Sequence, residues 1–133
     1  MRLLDTDVMV DVLRGRKPAI DWLESLQEVP GLPGLVVMEL LDGCQNREEM
    51  GRVRKYLQAF QVYWADDDDS NRAMAVFTQA RLTHHSGILD VLIAECAIGL
   101  GASLCTFNTR HFQAVPELTI ERPYDRTIAG PAP

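Results

Sequence analysis

The chain is expected to form an α/β fold, a three-layer α/β/α sandwich around a central, mostly parallel sheet. Three observations predict it. Short apolar runs of strand type recur along the chain, at Arg2–Leu4, Leu35–Met38, Val62–Trp64, Ser103–Thr106 and Leu118–Glu121. Helical stretches separate them, as parallel strands require. The 133 residues carry 47% apolar side chains with no internal repeat or linker, enough for one core. A single domain over residues 1–122 is therefore expected, followed by a loosely ordered tail, 123–133.

Each element has a local reason. Arg2–Leu4 runs directly into Asp5–Thr6–Asp7. Beyond it Val8, Met9, Val12 and Leu13 share one helical face, Asp7 and Asp11 another, and Gly15 closes the helix. Ile20, Trp22, Leu23 and Leu26 mark a second helix, introduced by Pro18 and stopped before Pro30. Leu35–Met38 is an unbroken apolar run behind the Gly31–Pro33–Gly34 turn cluster, which predicts a strand, with helical pattern from Glu39 to a break at Gly43. Val53, Tyr56, Leu57 and Phe60 indicate another helix, with Arg47, Arg52, Arg54 and Lys55 on its wet sides. Residues 70–82 read as a helix capped by Ser70, and residues 88–100 as a buried helix closed by Gly99 and Gly101.

The bulk properties narrow the function. No apolar run approaches the roughly 20 residues that span a bilayer. Asp5 and Asp7 interrupt any signal-peptide core, so a cytoplasmic location is expected. Cys44, Cys96 and Cys105 have no metal-ligand spacing and read as small buried hydrophobes. The net charge of −6 and pI near 4.9 argue against a broad basic nucleic-acid surface. They leave open a small acidic cleft whose sign a bound divalent cation would reverse.

Three carboxylates stand out. Asp5 follows the first strand, Glu39 follows the expected second strand, and Asp90 opens the most apolar helix, above Ile93, Ala94 and Ala97. A lone carboxylate there faces a desolvation cost unless paired or bound to metal. Ligands of parallel sheets bind beyond the carboxyl ends of the strands, where these acids would meet. Clustered acids raise one another's pKa unless a hard cation keeps them ionised. Oxygen-only ligation favours Mg²⁺ or Mn²⁺, which suits phosphoryl chemistry. Singly, each acid also reads as a helix cap; as a set at strand–helix junctions they read as a site.

These residues carry a resemblance. LLDTDVMVDVLRG (Leu3–Gly15), LVVMELLDG (Leu35–Gly43) and GILDVLIAECAIGLGASLCTFNTRHF (Gly87–Phe112) resemble, in order and spacing, the three motifs of PIN-domain ribonucleases, in particular VapC-like toxins of type II toxin–antitoxin systems. With Leu118–Pro123 the resemblance covers essentially the whole chain. It implies a metal-dependent endoribonuclease that hydrolyses RNA phosphodiesters. Asp5, Glu39 and Asp90 match the metal-binding acids, and Asn108 matches a catalytic position that often holds a fourth acid. Thr106 matches a hydroxyl supporting Asp5. Thr6 is expected to order the first helical turn, and Asp7 to be either a further supporting acid or a helix-start acid. The resemblance also implies a homodimer and a cognate antitoxin whose segment crosses the cleft. Arg14, Arg16, Lys17, Arg110 and His111 flank the motifs as possible phosphate contacts, or as ordinary surface charges.

Other features have plainer readings. Asp66–Asp69 lacks the glycine and distant glutamate of a calcium loop and reads as a solvated helix start. His84 and His85 have no third ligand nearby and read as a polar loop. Trp22 and Trp64 read as core or dimer-interface residues. Two rivals stand beside the nuclease. Asp5-x-Asp7 resembles the opening of a haloacid-dehalogenase-like phosphatase, but the only lysines, Lys17 and Lys55, lie in the first half of the chain. A non-catalytic PIN-fold binding module is the second, on the strength of Asn108 alone.

Overall fold

In a computed structural model the chain is described over residues 1–83 and 87–126. The element order is β1 (Arg2–Leu4), α1 (Thr6–Leu13), α2 (Lys17–Ser25), β2 (Leu32–Pro33), α3 (Gly34–Asp42), α4 (Arg47–Leu57), β3 (Val62–Tyr63), α5 (Asp67–Ala80), α6 (Ile88–Gly99), β4 (Ser103–Cys105), a 3₁₀ turn (Thr109–Phe112) and β5 (Ile120–Glu121). Every described strand pair is parallel. β4 lies between β1 and β5, with Leu3 opposite Leu104 and Leu104 opposite Ile120. β2 pairs with β3, and one bridge from Leu3 to Gly31 joins that pair to β1. The effective order is thus β3-β2-β1-β4-β5, with β1 at the centre and Leu3, Leu4 and Leu104 fully buried. This is the expected α/β class.

The second strand differs from expectation. Leu35–Met38 is helical, within α3, and the strand is the two-residue segment Leu32–Pro33 before it. A four-residue apolar run has the same signature in a buried strand and a buried helix. The burial decides it: Val36 and Leu40, four apart, face the core while Met38 and Glu39 face out. Pro33 ends the strand and caps α3, lacking an N–H that a longer ladder would use. Glu39 therefore sits mid-helix rather than at a strand end.

α5 also starts earlier than expected, and its cap is Asp66, not Ser70. Asp66 accepts from the Asp69 N–H at 2.8 Å while Asp69 accepts from the Asp66 N–H at 3.0 Å, a reciprocal capping box. The acidic run is not wholly solvated either. Asp69 is buried, and Arg72 donates to it at 2.6 Å and to the buried Glu95 of α6 at 3.1 Å. A Cβ on Gly99 would collide with this immobilised Asp69 carboxylate. Gly99→Ala is expected to destabilise the fold by about 1–3 kcal/mol in urea unfolding, as overpacking does. Arg72→Met should lower the thermal midpoint, with Glu95→Leu in the same chain restoring part of it. Additive losses in the pair would mean that Arg72 does not neutralise Glu95.

The tail expected from Pro123 begins with anchored residues. Tyr124 donates to Asp11 at 2.6 Å, and Arg126 donates to the same carboxylate at 3.0 and 3.2 Å. Trp22 and Phe107 pack against the Tyr124 ring. Residues 127–133 lie outside the described residues, as do His84 and His85. Trp22 joins the core margin, whereas Trp64 is 62% exposed and covers Gly34. All three cysteines are free. Burial pushes the Cys96 thiol up to about 11, and burial beside Glu121 pushes Cys105 up to about 12. Both are inert packing residues.

Candidate active site

β1 and β4 run side by side and end at Leu4 and Cys105, so Asp5 and Thr106 emerge together at their carboxyl ends. Asp5 caps α1: its Oδ1 accepts from the Thr6 N–H at 2.8 Å and its Oδ2 from the Thr106 hydroxyl at 2.7 Å. Thr106 is fully buried and its hydroxyl oxygen also accepts from the Asn108 N–H at 3.0 Å, which fixes its proton on Asp5. Asp7, in the first turn of α1, accepts from the N–H of Val8 at 2.8 Å and of Phe107 at 2.9 Å. It ties α1 to the loop after β4. Thr6 donates from its hydroxyl to Glu39 Oε1 at 2.9 Å, so α1 brings the α3 acid to the edge of the site. Asp90 lies in the first turn of α6, with His111 Nδ1 3.5 Å from its Oδ2.

The electrostatics mark a carboxylate cluster. Asp5 is 5% exposed, and its pKa is pushed up to about 6, first by burial and then by Asp7 and Asp90, against the bonds from Thr106 and Thr6. Burial likewise raises Asp7, opposed chiefly by the Phe107 and Val8 N–H groups. Burial raises Asp90, opposed by His111 and the Gly87 N–H. A hard divalent cation fits this all-oxygen donor set, because it would relieve the repulsion that lifts Asp5. Among the described residues no three acid, His or Cys side chains already stand in ligating positions. Glu39 is exposed and Asp90 half-buried.

Of the remaining expected residues, Asn108 is exposed at the start of the 3₁₀ turn, and among the described residues only its backbone is hydrogen-bonded. Arg16 lies 3.7 Å from Asp11, and Lys17 donates to Asp21 at 2.7 Å, so both cations are matched within the chain. Arg14 and Arg110 are exposed without an ion pair among the described residues. Asp7, held by two backbone N–H groups, is a brace, which disfavours the phosphatase reading with its second Asp as proton donor. Sequence reasoning did not single out Asp11 as a hub or Glu95 as a buried acid. For Glu95 a signal existed, a lone carboxylate inside the apolar run of α6.

Parallel strands ending in Asp5 and Thr106, with acids from α1, α3 and α6 converging on that end, define the class: the chain belongs to the PIN domain family, whose profile matches residues 2–118. Among individual proteins it is 35% identical over 123 residues to ribonuclease VapC19 of Mycobacterium tuberculosis, covering 89% of this chain and 97% of that one. It is 34% identical over 121 residues to ribonuclease VapC10 of the same species, covering 89% and 90%. The fold superposes on a toxin–antitoxin complex from Klebsiella pneumoniae with TM-score 0.76 and 25% identity, covering 94% of this chain and 99% of that one. It also superposes on VapBC2 from Rickettsia felis, bound to a DNA fragment from the promoter, with TM-score 0.79, 22% identity and coverage of 90% and 96%.

Proposed function

We infer that the protein is a metal-dependent endoribonuclease that hydrolyses RNA phosphodiester bonds and serves as the toxin of a toxin–antitoxin pair. One observation carries the chemistry: a nearly buried Asp5 whose proton affinity is raised by burial and by neighbouring acids, in a chain whose relatives are ribonucleases. Asp5, Glu39 and Asp90 would hold Mg²⁺ or Mn²⁺. When bound, the ion supplies a Lewis acid for the phosphoryl oxygen and an activated water. The chain's own contribution is positioning. Thr106 and the Thr6 N–H hold the Asp5 carboxylate in one rotamer. Thr6 orients Glu39, and Asp7 keeps the loop carrying Thr106 and Asn108 against α1. Asn108 presents an amide at the rim, able to donate to a phosphate oxygen.

The partner implied is an antitoxin that covers the acidic site with an arginine, for which paired carboxylates are the natural acceptors. A homodimer and a cytoplasmic location complete the reading. Among the described residues no helix is long and apolar enough to cross a membrane. Cleavage of a mixed RNA pool, with Mg²⁺ or Mn²⁺ and with EDTA, tests it. Asp90→Ala should lower the rate by more than about 100-fold, beyond what loss of an orienting residue costs. Cleavage that survives EDTA and Asp90→Ala would place the chemistry elsewhere. Folded, antitoxin-free protein that never cuts would favour the binding module.

A further inference from the structure

A cleft of about 630 Å³ opens beside the carboxylates and shares Thr6 and Glu39 with them. Its walls come from α1, α3 and α4. The catalytic reading has no use for most of this lining. Arg14 from the end of α1 and Arg52 from α4 both line the cleft, and neither guanidinium has an ion pair or hydrogen bond among the described residues. Arg2, Arg16, Lys17, Arg72 and Arg126 are each matched to an acid within the chain, and of the cations left unmatched among the described residues Arg14 and Arg52 are the two that line the cleft. Tyr56 also lines the cleft. It is 41% exposed, and its ring is backed by the buried Phe60 at 5.9 Å between centroids. A half-exposed aromatic ring braced from behind and accompanied by unmatched guanidinium groups is the equipment for a base with its flanking phosphates.

We propose that this cleft is a nucleotide subsite for single-stranded RNA, in which Tyr56 stacks on a base next to the scissile phosphate and Arg14 and Arg52 hold the adjoining phosphates. The inference rests on the nuclease reading and adds to it the residues that hold the strand beside the acids. A base inside a duplex cannot leave its stack to enter a pocket of this size without unpairing. It also answers the acidic overall charge. Net −6 suits a protein whose cations contact RNA at one place, beside the metal site, instead of over a broad face.

The test is the affinity of the full chain for a fluorescein-labelled single-stranded oligoribonucleotide of mixed sequence. It is measured by anisotropy over a salt series, with Ca²⁺ replacing Mg²⁺ and the RNA checked intact by gel. Tyr56→Ala should weaken binding by about 5- to 100-fold, while Tyr56→Phe, which keeps the stacking face, binds as the wild type. Arg14→Gln and Arg52→Gln should each flatten the plot of log affinity against log salt by about 0.7. In Mg²⁺ they should raise KM with kcat largely retained. Circular dichroism confirms that each variant is folded. An unchanged affinity and salt slope in the folded variants overturns the proposal and leaves the cleft to a protein segment. Failure of the wild type to bind the oligoribonucleotide overturns it as well. Loss of cleavage in Asp90→Ala is read separately, so the subsite can fail while the nuclease stands, and the reverse.

Discussion

Asp5→Asn is expected to give a protein that is more stable than the wild type at pH 8 in metal-free buffer, and inactive. Burial beside Asp7 and Asp90 lifts the Asp5 pKa from the ordinary 3.8 to about 6. A carboxyl raised in this way favours folding in its protonated form. Its contribution is complete below about pH 3.8 and is lost as the pH rises through about 6. Above that the wild type carries an ionised carboxylate in a nearly closed site. A shift of about two units corresponds to roughly 3 kcal/mol, which sets the ceiling of the gain. Asparagine keeps the volume and can still accept from the Thr6 N–H, so urea unfolding at pH 8 should show about 1–3 kcal/mol in its favour. The gain should shrink toward zero near pH 4. Mg²⁺ should raise the midpoint of the wild type and leave that of the variant unmoved, because an ion that binds only the folded state stabilises only a chain able to hold it. RNA cleavage should fall by more than about 100-fold. A variant less stable than the wild type at pH 8 would show that Asp5 is not held at a penalty, and the case for a cation there would lose its physical basis.

The second large effect lies outside the site. Asp11→Ala is expected to cost about 2–4 kcal/mol, because it strips one buried carboxylate from several donors at once. Asp11 is 1% exposed and takes bonds from Tyr124 at 2.6 Å and from Arg126 at 3.0 and 3.2 Å. Burial alone would raise its pKa. The bonds from Arg126 and Tyr124, with the charges of Arg126 and Arg16, outweigh that and hold it below the usual range. The sign is opposite to that of Asp5. The contribution of Asp11 is present above about pH 3.8 and is lost as the pH falls through its lower native value. The wild type should therefore lose stability in strong acid through Asp11, and Asp11→Asn should lose less over the same range. Released from Asp11, residues 123–126 should become open to proteolysis near Tyr124. An Asp11→Ala protein that unfolds at the wild-type urea concentration and resists the protease would mean that the tail is not docked through this carboxylate.

Much of this molecule was legible from local pattern. The alternation of short apolar strands with helices marks a parallel sheet, and residues 88–100 announce a buried helix by being apolar at nearly every position but Asp90 and Glu95. Asp5 and Asp90 stood out as acids where the chain turns from strand or loop into apolar helix. The misreadings share a cause. Leu35–Met38 was ambiguous because a short apolar run satisfies both periods, and only packing against the sheet selected the helical face. Ser70 is a good cap in isolation, yet Asp66 and Asp69 cap each other, and that pairing fixed the start of α5. The tail from Pro123 is rich in residues typical of loose ends, and nothing within it indicates that Tyr124 and Arg126 have a partner 113 and 115 residues away.

By itself, then, the sequence determined the α/β class and most of its helices, and it marked Asp5, Glu39 and Asp90 as the acids to test, because helix and strand periods and the desolvation of carboxylates are local properties. Tertiary structure alone decided which groups meet. It placed Thr106 on Asp5 and Thr6 on Glu39, tied Tyr124 and Arg126 to Asp11, and left Arg14, Arg52 and Tyr56 lining one cleft. Those outcomes depend on distances between segments far apart in the chain, and only the closed sheet with its packed helices sets them.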